Sequence, residues 1–276
     1  MTDNQPKATL MDWIRIVDER LCLNMNQQQI NGFVLYGQML QDWNRRINLT
    51  AVADDKGMAI RHFLDSLTLV PILDQLTAAH KRPLKLIDVG SGAGFPGLPI
   101  KIVRSRTQVL LLDSLNKRIK FLDAVIEALG LAGIATRHAR AEDAARQPAL
   151  RERFDVATAR AVASLPVLCE YCLPFVRVGG VFLAMKGQDE EEIAAADHAI
   201  QALGGRLAET SRFNLPGTDM KRTIVTIEKI TDTPAVYPRK AGKPEREPIQ
   251  NTGLPRSKLT KSPAAKQENP LPRNIF

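Results

Sequence analysis

The chain predicts an α/β fold: a doubly wound, seven-stranded Rossmann-like sheet with an N-terminal helical extension. Three observations predict it. From Lys85 onward short apolar runs alternate with helical segments, which implies parallel strands joined by right-handed crossovers. The first run leads straight into a glycine-rich loop, Asp88 to Gly97. The last two runs are separated by Asn214, Pro216, Gly217 and Asp219, so they read as an antiparallel hairpin.

Residues 1–80 read as helices. Ile30, Phe33, Val34, Gly37, Leu40 and Trp43 recur at helical spacing and make one apolar face. A second amphipathic segment runs from about Met58 to Leu73 through Ile60, Phe63, Leu64 and Leu67. Within 81–230 the expected strands are Lys85–Val89, Gln108–Asp113, Ile134–Arg137, Asp155–Ala159 and Gly180–Lys186. Helices near Leu98–Val103, Lys117–Leu129 and Leu165–Leu173 lie between them, and Pro96 and Pro99 suit the first turn of the first of these. After a helix near Glu190–Leu203, strands Arg206–Phe213 and Arg222–Lys229 complete the sheet. Residues 231–276 have no apolar period, and seven of the 17 prolines fall in Tyr237–Phe276. Such a segment buries too little apolar surface to offset its ordering entropy, so a flexible, basic, Pro-rich tail is expected.

Composition narrows the class. With 276 residues, 44% hydrophobic and 25% charged, the chain is an ordinary globular mixture rather than a disordered or collagen-like one. No apolar run approaches the roughly 18 residues of a membrane helix, and Met1–Leu10 lacks a basic-then-apolar leader. Three cysteines cannot pair completely, which points to reduced thiols and a cytoplasmic address. The net charge of +8 is unevenly placed: Tyr237–Phe276 holds nine basic and three acidic residues, leaving +2 for everything before it. The tail therefore hints at a polyanionic partner.

The glycine loop follows the first strand, where open α/β sheets bind ligands. Gly92-Ala93-Gly94-Phe95-Pro96-Gly97 matches the dinucleotide fingerprint, with Asp113 placed to accept ribose hydroxyls. Read from Asp88, acid-x-Gly-x-Gly-x-Gly is instead the loop of an S-adenosylmethionine site. An acid two residues before the first glycine suits the cationic groups of that molecule and repels a pyrophosphate. The seven-strand ending, the order of a class I methyltransferase core, decides for S-adenosylmethionine.

The acceptor is narrowed by absences. Exocyclic amines usually call for an Asp/Asn-Pro-Pro-aromatic loop after the fourth strand, where this chain has Ala159-Arg160-Ala161-Val162-Ala163-Ser164. Pyrimidine C5 needs a cysteine nucleophile, and Cys169 and Cys172 lie on an apolar helix where packing is the expected role. Guanine N7 is one acceptor that already owns a lone pair; a site without an obvious general base is consistent with it, positioning would suffice, and no catalytic residue is assigned. Lys117, Arg118 and Lys120, together with Lys101, Arg104 and Arg106, suit a nucleic acid near the site, and Lys186 at the end of the fifth strand is the candidate substrate contact. His62, on an apolar helix face, reads as a core histidine.

Several stretches carry a family resemblance: Trp43-Asn44-Arg45-Arg46-Ile47-Asn48-Leu49-Thr50, Arg61-His62-Phe63-Leu64-Asp65-Ser66-Leu67, Asp88–Pro99, Leu112–Arg118, Ala159-Arg160-Ala161 and Met185-Lys186-Gly187. Across about Gln27 to Lys229 the chain resembles the bacterial 16S ribosomal RNA guanine-N7 methyltransferases, the RsmG or glucose-inhibited division B family. The resemblance implies methyl transfer from S-adenosylmethionine to N7 of one guanine in the decoding-region loop of 16S rRNA. The RNA is expected naked or within the small subunit, and the enzyme as a monomer without metal or membrane. It also implies that Gly90 and Phe95 line the cofactor, that Ala141 and Glu142 hold its adenine end, and that Arg160 contacts its methionine side. A motif like Tyr237–Pro244 ends some members; nothing after about Ile249 has a counterpart. The competing readings are a nicotinamide-dependent oxidoreductase on the same loop and a non-catalytic RNA-binding assembly protein.

Overall fold

The computed structural model describes residues 8–187 and 190–249. The helices Leu10–Leu21 and Gln27–Ile47 each open on a capping box, Thr9 with Asp12 and Asn26 with Gln29, which satisfies backbone donors that have no intrahelical partner. The segment expected to run unbroken from Met58 to Leu73 is interrupted. A π-helical stretch, Met58–Leu64, passes into the single turn Asp65–Leu67, and the chain restarts as the helix Val70–His80. Pro71 accounts for the break, because it offers no N–H and its ring collides with the carbonyl four residues back.

The sheet has order β3-β2-β1-β4-β5-β7-β6. Its strands are β1 (Lys85–Val89), β2 (Gln108–Asp113), β3 (Ile134–His138), β4 (Phe154–Arg160), β5 (Val176–Lys186), β6 (Gly205–Asn214) and β7 (Lys221–Lys229). β1 to β5 are parallel, β7 is antiparallel to β5, and β6 pairs β7 as a hairpin. The winding reverses between β1 and β4, so the crevice at their carboxyl ends is the ligand position of such a sheet. Side chains alternate across it. Leu86, Leu111, Val156 and Leu183 share one core with the N-terminal helices, while Ile87, Leu112, Ala157 and Phe182 face the helices Leu165–Cys172 and Glu190–Ala202. Among the described residues no helix is long and apolar enough to cross a membrane.

The chain after β7 differs from the expectation. Residues 231–249 do not hang free: Ile249 is buried and Tyr237 packs against the core. Arg151 donates to the carbonyls of Thr233 and Tyr237 at 2.6 and 2.9 Å, and Arg239 grips the buried Glu170. Scarce apolar area predicts a loose segment, but arginine–carbonyl bonds and an ion pair add to these few apolar contacts and hold the strap. The rest of the expected tail, residues 250–276, lies outside the described residues.

Candidate active site

β1 ends in a turn built almost entirely on backbone bonds. The N–H groups of Gly90 and Ser91 both donate to the Leu112 carbonyl, at 2.8 and 3.0 Å, and Gly92 N–H donates to Asp113 Oδ2 at 2.9 Å. Gly90 has φ +75, and a Cβ there would stand 2.7 Å from Val162, so the loop requires glycine at this point. At Gly92 a Cβ would meet no protein atom closer than 3.9 Å; the space above it is open to a ligand.

Asp88 has a role the sequence did not specify. Its Oδ2 accepts the Gly97 N–H at 2.9 Å, tying the loop to the helix Gly97–Val103, and its Oδ1 is buried with no partner among the described residues. Burial pushes this carboxyl up to about 7, with the Gly97 bond and Arg160 opposing the rise. A carboxyl raised in the folded state contributes stability that is complete below its ordinary value near 3.8 and is lost as pH rises through about 7. Asp88→Asn should therefore flatten the stability profile between about pH 4 and 7. Thermal melting of both chains across that range checks this, and parallel profiles would refute it.

Gly90, Asp113, Ala141 and Glu142, four of the six residues expected to bind cofactor, come together in one pocket of about 120 Å³ at the ends of β1 to β3. Its wall also includes Arg140, Val162, Tyr171 and Glu245. Asp113 is buried at its floor, orienting the Gly92 and Leu115 N–H groups and pairing with Arg118 at 3.3 Å. Three carboxylates and one arginine line this pocket, a set that opposes a pyrophosphate and accepts from ribose hydroxyls and an adenine amine. Together with the unpartnered Asp88 Oδ1 and the bare backbone at Gly92, these residues fit S-adenosylmethionine.

The other two expected residues stand elsewhere. Phe95 is buried, stacked on the His62 ring at 4.6 Å between centroids, and the Arg160 guanidinium lies 5.0 Å over its face. Arg160 does not pair with Glu142 or Asp113. It donates to Asp65 Oδ2 and the Arg61 carbonyl, both at 2.9 Å, and to His62 Nδ1 at 3.3 Å. The other Asp65 oxygen accepts from Arg222 at 2.7 Å. Burial, then the charge of Arg160, lowers His62 to about 4, so its ring is neutral near pH 7; its other nitrogen meets the Thr50 hydroxyl at 2.7 Å. The core histidine read from the sequence is thus also one wall of a cavity.

That second cavity, about 400 Å³, is lined by Arg61, His62, Arg160, Lys186, Phe213 and Arg222 among others. The turn after β4, which carries Ala161 and Val162, separates it from the first pocket. Lys186, at the end of β5, lies in it, with its ammonium held by Glu192 at 2.9 Å and the Ala163 carbonyl at 3.1 Å. Asp65 and Arg222 were missed by sequence reasoning: Asp65 sat unassigned inside a matching segment, and nothing marked Arg222. Part of the basic cluster was misplaced. A helix that follows a strand runs back along the sheet, so Lys101, Arg104 and Arg106 lie at the pole opposite the loop. There Lys101 is buried against the Ser105 and Thr107 carbonyls and Arg104 pairs with Asp74. Cys169 and Cys172 are wholly buried, and burial pushes both thiols well up.

A seven-stranded sheet of this order, with an acid-lined pocket beside its glycine loop, defines a class I S-adenosylmethionine-dependent methyltransferase. Residues 29–223 match the GidB family, described as rRNA small subunit methyltransferase G. The chain belongs to that family, whose members use S-adenosylmethionine as methyl donor. It is 50% identical over 227 residues to ribosomal RNA small subunit methyltransferase G of Acetivibrio thermocellus, covering 82% of this chain and 91% of that one. To the protein of the same description from Geobacillus kaustophilus it is 46% identical over 236 residues, covering 85% and 97%. A solved structure of WbdD matches with a TM-score of 0.50 at 19% identity, covering 69% of this chain and 47% of that one; the likeness extends to the fold alone.

Proposed function

We propose that this rRNA methyltransferase acts on N7 of a guanine in 16S rRNA, in the cytoplasm, on naked RNA or within the small subunit. One observation carries the reading: the cavity beside the cofactor pocket is ringed by cations and, among the described residues, offers no free base. Both oxygens of Asp65 are committed to arginines, and His62 Nδ1 faces Arg160. Guanine N7 attacks through its own lone pair, so no residue has to remove a proton. When bound, S-adenosylmethionine supplies an electrophilic methyl on a sulfonium. We assign Gly90, Asp113, Ala141 and Glu142 to holding it, with Phe95 and Arg160 shaping the methionine side. Arg61, Lys186 and Arg222 then orient the RNA, and fixed orientation alone is worth up to about 7–11 kcal/mol of barrier.

The test is methylation of small subunits and of naked 16S rRNA with labelled donor, followed by digestion to nucleosides. Labelled 7-methylguanosine is expected; label in another methylated nucleoside overturns the assignment. In the same assay Cys169→Ala with Cys172→Ala should retain transfer, because neither thiol reaches the cavities. A folded double variant with no activity would bring back a covalent mechanism.

A further inference from the structure

β7 runs antiparallel to β5, so it ends at the pole of the sheet away from the glycine loop. Yet Glu245, sixteen residues beyond Lys229, lines the pocket at the loop. The strap between them must climb the height of the sheet, and the structure shows what holds it on the way. Lys229 Nζ bonds the Leu173 carbonyl at 2.8 Å and the Thr233 hydroxyl at 2.6 Å, fixing the start. Arg146 takes the Pro238 carbonyl at 2.5 Å, and Arg239 clamps Glu170 with its N–H and guanidinium at 2.6–3.0 Å. At the top Gly242 N–H donates to Glu142 Oε1 at 2.8 Å. That bond fixes one oxygen of a buried carboxylate and leaves the other for a ligand. Glu245 then stands on the same rim as Tyr171.

We infer that the strap is a wall of the cofactor pocket, with Gly242 positioning Glu142 and Glu245 supplying a second acceptor for the donor edge of the adenine. The inference rests on the reading that Glu142 holds the adenine end. A carboxylate pair at this edge selects a nucleoside bearing an exocyclic amine over one bearing a carbonyl there. An unmatched acceptor facing that carbonyl is left without a hydrogen bond, which is how polar sites reject near-isosteres.

The experiment is calorimetric titration of the full chain and its variants with S-adenosylhomocysteine and with its inosine analogue, which carries a carbonyl in place of the amine. Glu245→Ala should weaken S-adenosylhomocysteine about tenfold and narrow its preference over the analogue, while Glu245→Gln, which keeps an acceptor, stays within about threefold of wild type. A chain ending at Ile249 should bind as the full chain does, and one ending at Val236 should lose about a hundredfold. If Glu142→Ala weakens binding but Glu245→Ala matches wild type in affinity and preference, the strap's role is overturned and the adenine-end reading stands. If both variants bind as wild type, the adenine-end reading falls and the strap's role with it. Where the chain ending at Val236 does not fold, the two point variants decide.

Discussion

Arg239→Ala should destabilise the chain by about 3–5 kcal/mol, lowering its melting temperature by roughly 10 °C. The reason is Glu170, whose side chain is 1% exposed on the helix Leu165–Cys172. Its oxygens receive the Arg239 guanidinium at 2.6–3.0 Å and the Arg239 N–H at 2.6 Å. Truncating the arginine leaves a carboxylate in the core with its counter-charge gone, and that is the costly way to break a buried pair. Replacing both members behaves differently. Arg239→Met with Glu170→Leu removes the buried charge as well as its partner and should recover most of the loss. Thermal denaturation of the single and double variants makes the comparison. A single variant melting within about 2 °C of wild type would mean that water reaches Glu170 and the strap is not sealed.

The strap also marks where the sequence could be read and where it could not. β1 and β2 were legible to the residue, because both faces of Lys85–Val89 and Gln108–Asp113 are covered and their apolar runs are short and clean. β5 starts four residues before its expected Gly180, at Val176. Gly179, with φ +79, looks like a turn but sits at an irregularity where the pairing with β4 shifts register. The glycine loop and Asp113 could be found because their partners are neighbours in the chain. Arg160 was found as a residue but not with its partners, since Asp65 lies 95 positions away and shares its carboxylate with Arg222, 157 positions from it. Glu142 was found without Gly242, 100 positions on. Periodicity and local motifs report elements and turns. They carry no information on which distant polar side chains meet, and much of the strap's hold on the core consists of such meetings.

The same network gives the largest expected effect on activity. Arg160→Ala should cut methyl transfer by about two decades, since each charge-assisted bond lost is worth roughly 1.5–3 kcal/mol. Stability should suffer less than in Asp65→Ala. Without Arg160 the Asp65 carboxylate keeps Arg222, whereas without Asp65 two guanidinium groups that shared it face each other across the cavity. Arg160→Lys should not rescue transfer: one ammonium cannot reproduce a planar fork that reaches Asp65, the Arg61 carbonyl and His62 at once. His62 separates a role in the cavity from a merely structural one. Burial is the larger cause of its depression to about 4 and the charge of Arg160 the second, so in Arg160→Ala it should rise but stay below its ordinary 6.5. In wild type this depressed histidine contributes stability that is present above about 6.5 and lost as pH falls toward 4; in the variant that acid-sensitive window narrows from below. Proton resonances of the ring, followed against pH in both chains, read the shift directly. A variant with unchanged His62 titration and near-normal transfer would place the guanidinium outside the cavity's working geometry and leave Arg222 and Lys186 to orient the RNA.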